Sequence, residues 1–218
     1  MKFKCLLFDL DGTLIDSRDD LADSVNLALA EMNLETLPAE TIFDFIGEGV
    51  FNLVDRSLSA SLKSAAPLEL ANRGVEVFRR FYAENALNKT RLYDGVRETL
   101  DGLNGFEKAV VTNKPRDFSL TILDGLEIAK YFRAVTGGDS FPERKPSAVP
   151  LLKTIESLGF TNDECLMIGD SRVDIETGKN ARVATCGMIY GFRGRTELER
   201  AGADFLLESF SGLLSILH

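Results

Sequence analysis

Residues 4–13 read Lys-Cys-Leu-Leu-Phe-Asp-Leu-Asp-Gly-Thr. The apolar run predicts a buried strand over 4–8, and it breaks at once into Asp9-Leu10-Asp11-Gly12-Thr13. Carboxylates one residue apart face opposite sides of a strand. Past a strand's end the backbone can turn, and Gly12 lowers the cost of that turn. Asp9 is then placed to attack a reacting centre while Asp11 reaches the leaving oxygen from another side. Two acids spaced this way also begin ordinary solvated loops, but Asp-x-Asp-Gly-Thr at the end of an apolar strand is a far more specific pattern.

Outward from this stretch, short β-branched or Leu-rich runs alternate with amphipathic ones, the pattern of a parallel sheet flanked by helices. Further strands are predicted at Lys108–Val111, Ala134–Thr136, Cys165–Ile168, Val183–Met188 and Phe205–Leu207. Helices are predicted around Val96–Leu103, Phe118–Leu126, Ala148–Leu158 and Asp174–Asn180, with Gly105 and Gly159 as stop signals. Residues 17–86 break the alternation. Leu21, Val25, Ala28, Leu29 and Met32 recur at helical spacing behind Ser17, a capping residue type, and helical pieces follow near 39–46, 50–58 and 68–85. The expected fold is therefore α/β: a Rossmann-like parallel sheet core flanked by helices, with a small all-helical domain inserted. The core takes residues 1–16 and 88–218, and the insert takes 17–87.

Composition narrows the chemistry. The 218 residues carry 44% hydrophobic and 27% charged side chains, the balance of an ordinary globular protein. No apolar run approaches the roughly 20 residues of a membrane span, and the N-terminal run has no small-residue cleavage site. A cytoplasmic location without a membrane partner is expected. The net charge of −9 without a basic block argues against a nucleic-acid partner. Cys5, Cys165 and Cys186 are scattered in strand-like runs, a poor disulfide framework and a poor zinc site. The only histidine is His218, so histidine-based triads and multi-histidine zinc sites are excluded. Hydrolytic chemistry here must run on carboxylates, hydroxyls, lysine and a hard cation.

Three more strand ends carry suitable groups. Thr112 and Asn113 follow one strand, where they serve either turn chemistry or donation to phosphate oxygens. Lys145-Pro146 follows another, either as a helix start with a surface lysine or as a cation turned back toward the nucleophile. Asp170, in Gly169-Asp170-Ser171, lies where a cation held by Asp9 needs another oxygen, and Asp174 begins the next helix. Either aspartate could cap that helix instead. All four segments sit at the carboxyl ends of parallel strands, where ligand sites form in open α/β sheets. Together they supply a nucleophile, an acid/base, phosphate donors, a cation and ligands for a magnesium ion.

The segments Phe8–Ser17, Val110–Lys114, Gly137–Pro146 and Ile168–Ala181 resemble the motifs of haloacid dehalogenase-superfamily phosphatases with a helical cap of the first type. Within that superfamily the chain resembles the phosphoglycolate phosphatase group, also around Phe45–Gly49 and Tyr190–Arg193. The resemblance implies magnesium-dependent hydrolysis of a small phosphate monoester through an aspartyl phosphate, with phosphoglycolate the expected substrate. It makes Asp9 the nucleophile and a metal ligand, and Asp11 the acid/base with its backbone carbonyl on the metal. Thr112 and Asn113 would hold the phosphoryl group, Lys145 would offset its charge, Asp170 would ligate magnesium and Asp174 would support the site. Gly47, Glu48 and Gly49 would form the cap's contact loop. The chain departs from the family at Ser147–Pro150, where a second proline is common sooner, and at Arg182, where glycine is common. A pyrophosphatase, a sugar-phosphate or nucleotide phosphatase, and a catalytically inactive binding protein on the same fold are the alternatives. Asp11 argues against a dehalogenase, Arg18-Asp19-Asp20-Leu21 lacks a mutase's histidine, and Lys63, the only lysine between Asp16 and Asn88, is outside any recognisable active-site context for a Schiff base.

Overall fold

The structure, a computed structural model, describes residues 3–217. His218 lies outside the described residues. In chain order the elements are β1 (Cys5–Phe8), β2 (Ile15–Asp16), α1 (Arg18–Glu31), α2 (Ala39–Phe43), α3 (Val50–Leu62), α4 (Leu68–Asn85), β3 (Arg91–Leu92), α5 (Val96–Gly102) and β4 (Glu107–Val111). They continue as α6 (Arg116–Gly125), β5 (Ala134–Thr136), α7 (Val149–Leu158), β6 (Cys165–Gly169), α8 (Arg172–Ala181), β7 (Ala184–Met188), α9 (Arg195–Ala201), β8 (Phe205–Leu207) and α10 (Leu213–Leu217). The chain divides into two compact units, residues 1–16 with 92–218, and residues 17–91.

The first unit is built on a six-stranded parallel sheet in the order β5-β4-β1-β6-β7-β8. β1 and β6 are buried throughout, which is why they read as unbroken apolar runs rather than as alternating ones. On one face Cys5, Leu7, Ala109, Val111, Cys165 and Met167 pack with Leu151 and Ile155 of α7. On the other, the Phe8 ring meets Phe210 at 5.7 Å and Phe132 at 6.0 Å. All three cysteines are free and buried. The parallel register sets Phe8 beside both Val110 and Ile168. From β1 the chain builds outward to β4 and β5 on one side and to β6, β7 and β8 on the other. The topological switch therefore lies at the carboxyl ends of β4, β1 and β6.

The second unit is helical. Leu21, Val25, Ala28 and Leu29 of α1 are buried, as their spacing predicts, and Met32 just past it is half-buried. Ser17 takes the N-cap position but makes no side-chain capping bond. The Phe78 and Tyr82 rings of α4 stack at 5.3 Å. Asp20 of α1, 1% exposed, accepts hydrogen bonds from Lys89 N (2.9 Å), Thr90 N (2.8 Å) and Thr90 Oγ1 (2.8 Å). That staple fastens residues 89–90 to the start of α1. No helix among the described residues is long and apolar enough to cross a membrane.

Candidate active site

Asp9 is the first residue past β1, and its N–H still donates to Ile168 O at 2.8 Å, extending the ladder by one residue. The chain then turns, with Gly12 N donating to Ile15 O and Thr13 N to Leu10 O. Gly12 has φ +85°, and a Cβ there would lie 2.2 Å from Asp170 Oδ2, so glycine is required both by conformation and by space. The turn separates the two aspartates. Lys145 Nζ lies 2.9 Å from Asp9 Oδ1, while Lys114 Nζ donates to both carboxylate oxygens of Asp11 at 2.9 Å.

Lys145 is 3% exposed, which rules out the surface-lysine reading. Its ammonium also donates to Asp174 Oδ1 at 2.6 Å. Pro146 does not start the helix that follows: α7 begins at Val149, with Pro150 in its first turn. Asn113 Nδ2 donates to Lys145 O at 3.0 Å, tying the end of β4 to the lysine loop. Thr112 Oγ1 accepts from Lys114 N at 3.3 Å, and both Thr112 and Asn113 are buried beside this loop.

Asp170 follows β6 and is held on both oxygens. Thr13 Oγ1 donates to Oδ1 at 3.4 Å, and Phe192 N donates to Oδ2 at 2.7 Å. Asp174 sits one turn into α8 rather than at its cap, which is Ser171. Its Oδ2 accepts from Ser171 N and Oγ in a capping box, leaving Oδ1 for Lys145.

Carboxylate oxygens of Asp9, Asp170 and Asp174 all lie within 4.8 Å of one another, and all three residues are buried. Fully ionised, this set carries three negative charges against one from Lys145. Burial, and then the Asp174 charge, push the Asp9 carboxyl up to about 6 despite Lys145. Burial, then Asp174 and Asp9, push Asp170 well above the usual carboxylate range. For Lys145 burial works the other way, but the two aspartate charges outweigh it and raise the ammonium above the ordinary lysine value. Asp9 Oδ1 meets Lys145 by charge and accepts no aligned hydrogen bond. Hard oxygen donors, excess negative charge and an under-bonded carboxylate oxygen fit a small divalent cation such as magnesium.

The structure thus brings Asp9, Asp11, Thr112, Asn113, Lys145, Asp170 and Asp174 into the first unit's switch region. Gly47, Glu48 and Gly49 lie in the turn between α2 and α3 of the helical unit, where Asn52 Nδ2 donates to Glu48 O. Three participants were not read from the sequence as parts of the site. Lys114 carried a signal, since it directly follows Thr112-Asn113. The Phe192 N–H is a backbone donor with no side-chain signature, and Tyr190, whose hydroxyl donates to Thr13 O at 2.6 Å, reaches across 177 positions.

Known proteins resemble this chain in sequence and fold. Residues 6–188 match the model of the haloacid dehalogenase-like hydrolase family. The chain is 40% identical to a phosphoglycolate phosphatase of Vibrio parahaemolyticus, over 98% of this chain and 96% of that protein. It is 39% identical to one of Haemophilus influenzae, over 99% of each. A crystal structure from Haemophilus somnus 129PT, described as a "predicted phosphoglycolate phosphatase", superposes with a TM-score of 0.94 at 33% identity, covering 100% of this chain and 99% of that one. A parallel sheet built outward to both sides of the strand that ends at Asp9, a family model matching from the first strand to the seventh, and full-length relatives all agree: the chain belongs to the haloacid dehalogenase-like hydrolases.

Proposed function

We propose that this protein is a magnesium-dependent phosphatase that hydrolyses a small phosphate monoester through a phosphoryl group carried on Asp9, with phosphoglycolate as its substrate. The observation that carries this reading is the buried Asp9 carboxylate, 2.9 Å from Lys145 and grouped with Asp170 and Asp174 at the sheet's switch point. Full-length similarity to proteins named phosphoglycolate phosphatase supports the substrate.

Phosphoryl transfer needs an in-line nucleophile, charge neutralisation and a protonated leaving group. An Asp9 oxygen attacks phosphorus and the ester P–O bond breaks. Asp11 gives its proton to the departing alkoxide. A water then attacks the phosphorus of the aspartyl phosphate, Asp11 takes its proton, and the Asp9 carboxylate is restored. Lys145 faces the charge on the phosphoryl oxygens, and Thr112 and Asn113 hold them. A magnesium ion held by Asp9, Asp170 and the Asp11 backbone carbonyl, with Asp174 in support, would supply further charge neutralisation. Acid/base help of this kind is worth roughly 10²–10⁴-fold.

In this reading the helical insert, assigned to residues 17–87 by sequence, is a cap. It excludes bulk water and selects the leaving group, with Gly47–Gly49 as its contact loop and hinges at 14–16 and 87–92. The three free, buried cysteines support residence in a reducing cytoplasm.

The test is phosphate release by purified protein, with magnesium or with a chelator, from phosphoglycolate, sugar phosphates, nucleotides and pyrophosphate. Magnesium-dependent preference for phosphoglycolate is expected. Preference for another ester would keep the chemistry and replace the substrate. No release from any of them by folded protein would overturn the reading.

A further inference from the structure

The two aspartates of the Asp9-Leu10-Asp11 turn have separate lysines. Lys145 serves Asp9 and Asp174, and Lys114 serves Asp11. The second pairing follows from the sheet. With Phe8 in register with Val110, Asp11 and Lys114 each lie three residues past the ends of neighbouring strands, Phe8 of β1 and Val111 of β4. The Lys114 side chain is 3% exposed, and its ammonium sits 2.9 Å from each oxygen of a carboxylate that is itself 13% exposed. Burying an ammonium carries a desolvation penalty that a good pairing must offset.

The lysine's backbone is also fixed. Its carbonyl accepts from Gly138 N at 2.9 Å and its N–H donates to Thr112 Oγ1. Gly138 approaches so closely that a Cβ there would lie 2.3 Å from Asn113 O. The ammonium is therefore a post on a stiff base. By meeting both carboxylate oxygens it fixes the side-chain torsions of Asp11 and the plane of its carboxylate.

We propose that Lys114 is a positioning residue: it holds the Asp11 carboxylate where proton transfer to and from the leaving oxygen takes place. The inference rests on the phosphatase reading above and adds to it the group that orients the acid/base. Displacement of a catalytic group by about 1 Å can cost on the order of 100-fold, so losing this post should be expensive only where Asp11's proton is needed.

Leaving-group chemistry separates this role from a structural one. An alkoxide departs poorly without a proton, whereas p-nitrophenolate needs none. The experiment is rapid-quench measurement of first-turnover alcohol release from phosphoglycolate and from p-nitrophenyl phosphate. The proteins are wild type, Lys114→Met, Asp11→Asn and the double variant, each checked for fold by circular dichroism. Lys114→Met should slow the alkyl ester about 10- to 100-fold more than the aryl ester, the range left by a misplaced acid. On the Asp11→Asn background the same substitution should add less than about 3-fold. Equal losses on both esters, or an undiminished loss on the Asp11→Asn background, would overturn the proposal while leaving the phosphatase reading intact. No release by the wild type from either ester would instead bring down that reading and this inference with it. If Lys114→Met does not fold, Lys114→Arg carries the same test, because it keeps the charge and changes the geometry.

Discussion

Asp174 performs two tasks with two oxygens. One closes the capping box at Ser171, and the other takes Lys145, so helix start and charge pairing are a single device. Asp174→Ala should cost about 3 kcal/mol by half-stranding a buried lysine. Asp174→Asn should recover about 1 kcal/mol of that through the retained cap. Urea denaturation measures both, and equal stability of the two variants would contradict the shared role. Gly191 is equally constrained, since a Cβ there would lie 2.2 Å from Asp170 Cβ and 2.5 Å from Gly12 O. Gly191→Ala should displace Asp170 and weaken magnesium binding at least 10-fold, the scale seen when a ligand's support is lost. Magnesium titration followed by calorimetry checks this, and unchanged affinity would count against the packing argument. At this scale the sequence was most informative where strand ends carry their own chemistry. Asp9 and Asp170 could be read because each follows its strand directly, and Lys145, nine residues past β5, because a Lys-Pro pair precedes the next helix. Lys114, Tyr190 and the Phe192 N–H could not be given roles, because register and backbone donors are properties of the assembled sheet.

Among the elements, strands were more legible than their junctions. A strand buried on both faces, such as β1 or β6, leaves an apolar run that needs no partner to be recognised, and the six predicted strands became the parallel sheet. The two-residue strands β2 and β3 leave no periodicity, and α9 and α10, at seven and five residues, were not anticipated. The stop signal at Gly105 came late, since α5 ends at Gly102. Asp20 is the clearest case of a hidden element-level role. In sequence it is only one of four residues in the stretch Arg18-Asp19-Asp20-Leu21 that lacks a mutase's histidine, yet in the fold it holds the chain returning at Lys89 and Thr90. Asp20→Ala leaves three donors without this acceptor and should cost about 2–3 kcal/mol. Thermal unfolding gives the magnitude, and limited proteolysis should show faster cutting near residues 86–91. A variant as stable and protease-resistant as the wild type would refute the staple.

For the whole molecule, charge balance at the switch point links stability to metal. Three buried carboxylates face one lysine in the cluster, so a divalent cation bound there as proposed would favour the folded chain, the unfolded one having no such site. Magnesium at one hundred times its Kd should stabilise the fold by about 2.7 kcal/mol, a rise in Tm of roughly 5–10 °C for a chain of this size. Asp170→Asn should abolish most of that rise, and an undiminished rise would place the metal elsewhere. Sequence alone conveyed the fold class and the chemistry at this scale, the first through the alternation of apolar and amphipathic runs and the second through strand-end residues in a fixed order. Substrate choice was not legible from residues alone, since selectivity rests on pocket shape and a few hydrogen bonds that no single stretch of sequence displays.

In the proposed mechanism the first covalent step is transfer of the phosphoryl group to Asp9. Its most direct test is phosphate release by purified Asp9→Asn protein, shown by circular dichroism to be folded and assayed with magnesium beside the wild type. Release should fall to that of the protein-free control, whereas turnover near the wild-type rate would contradict the account.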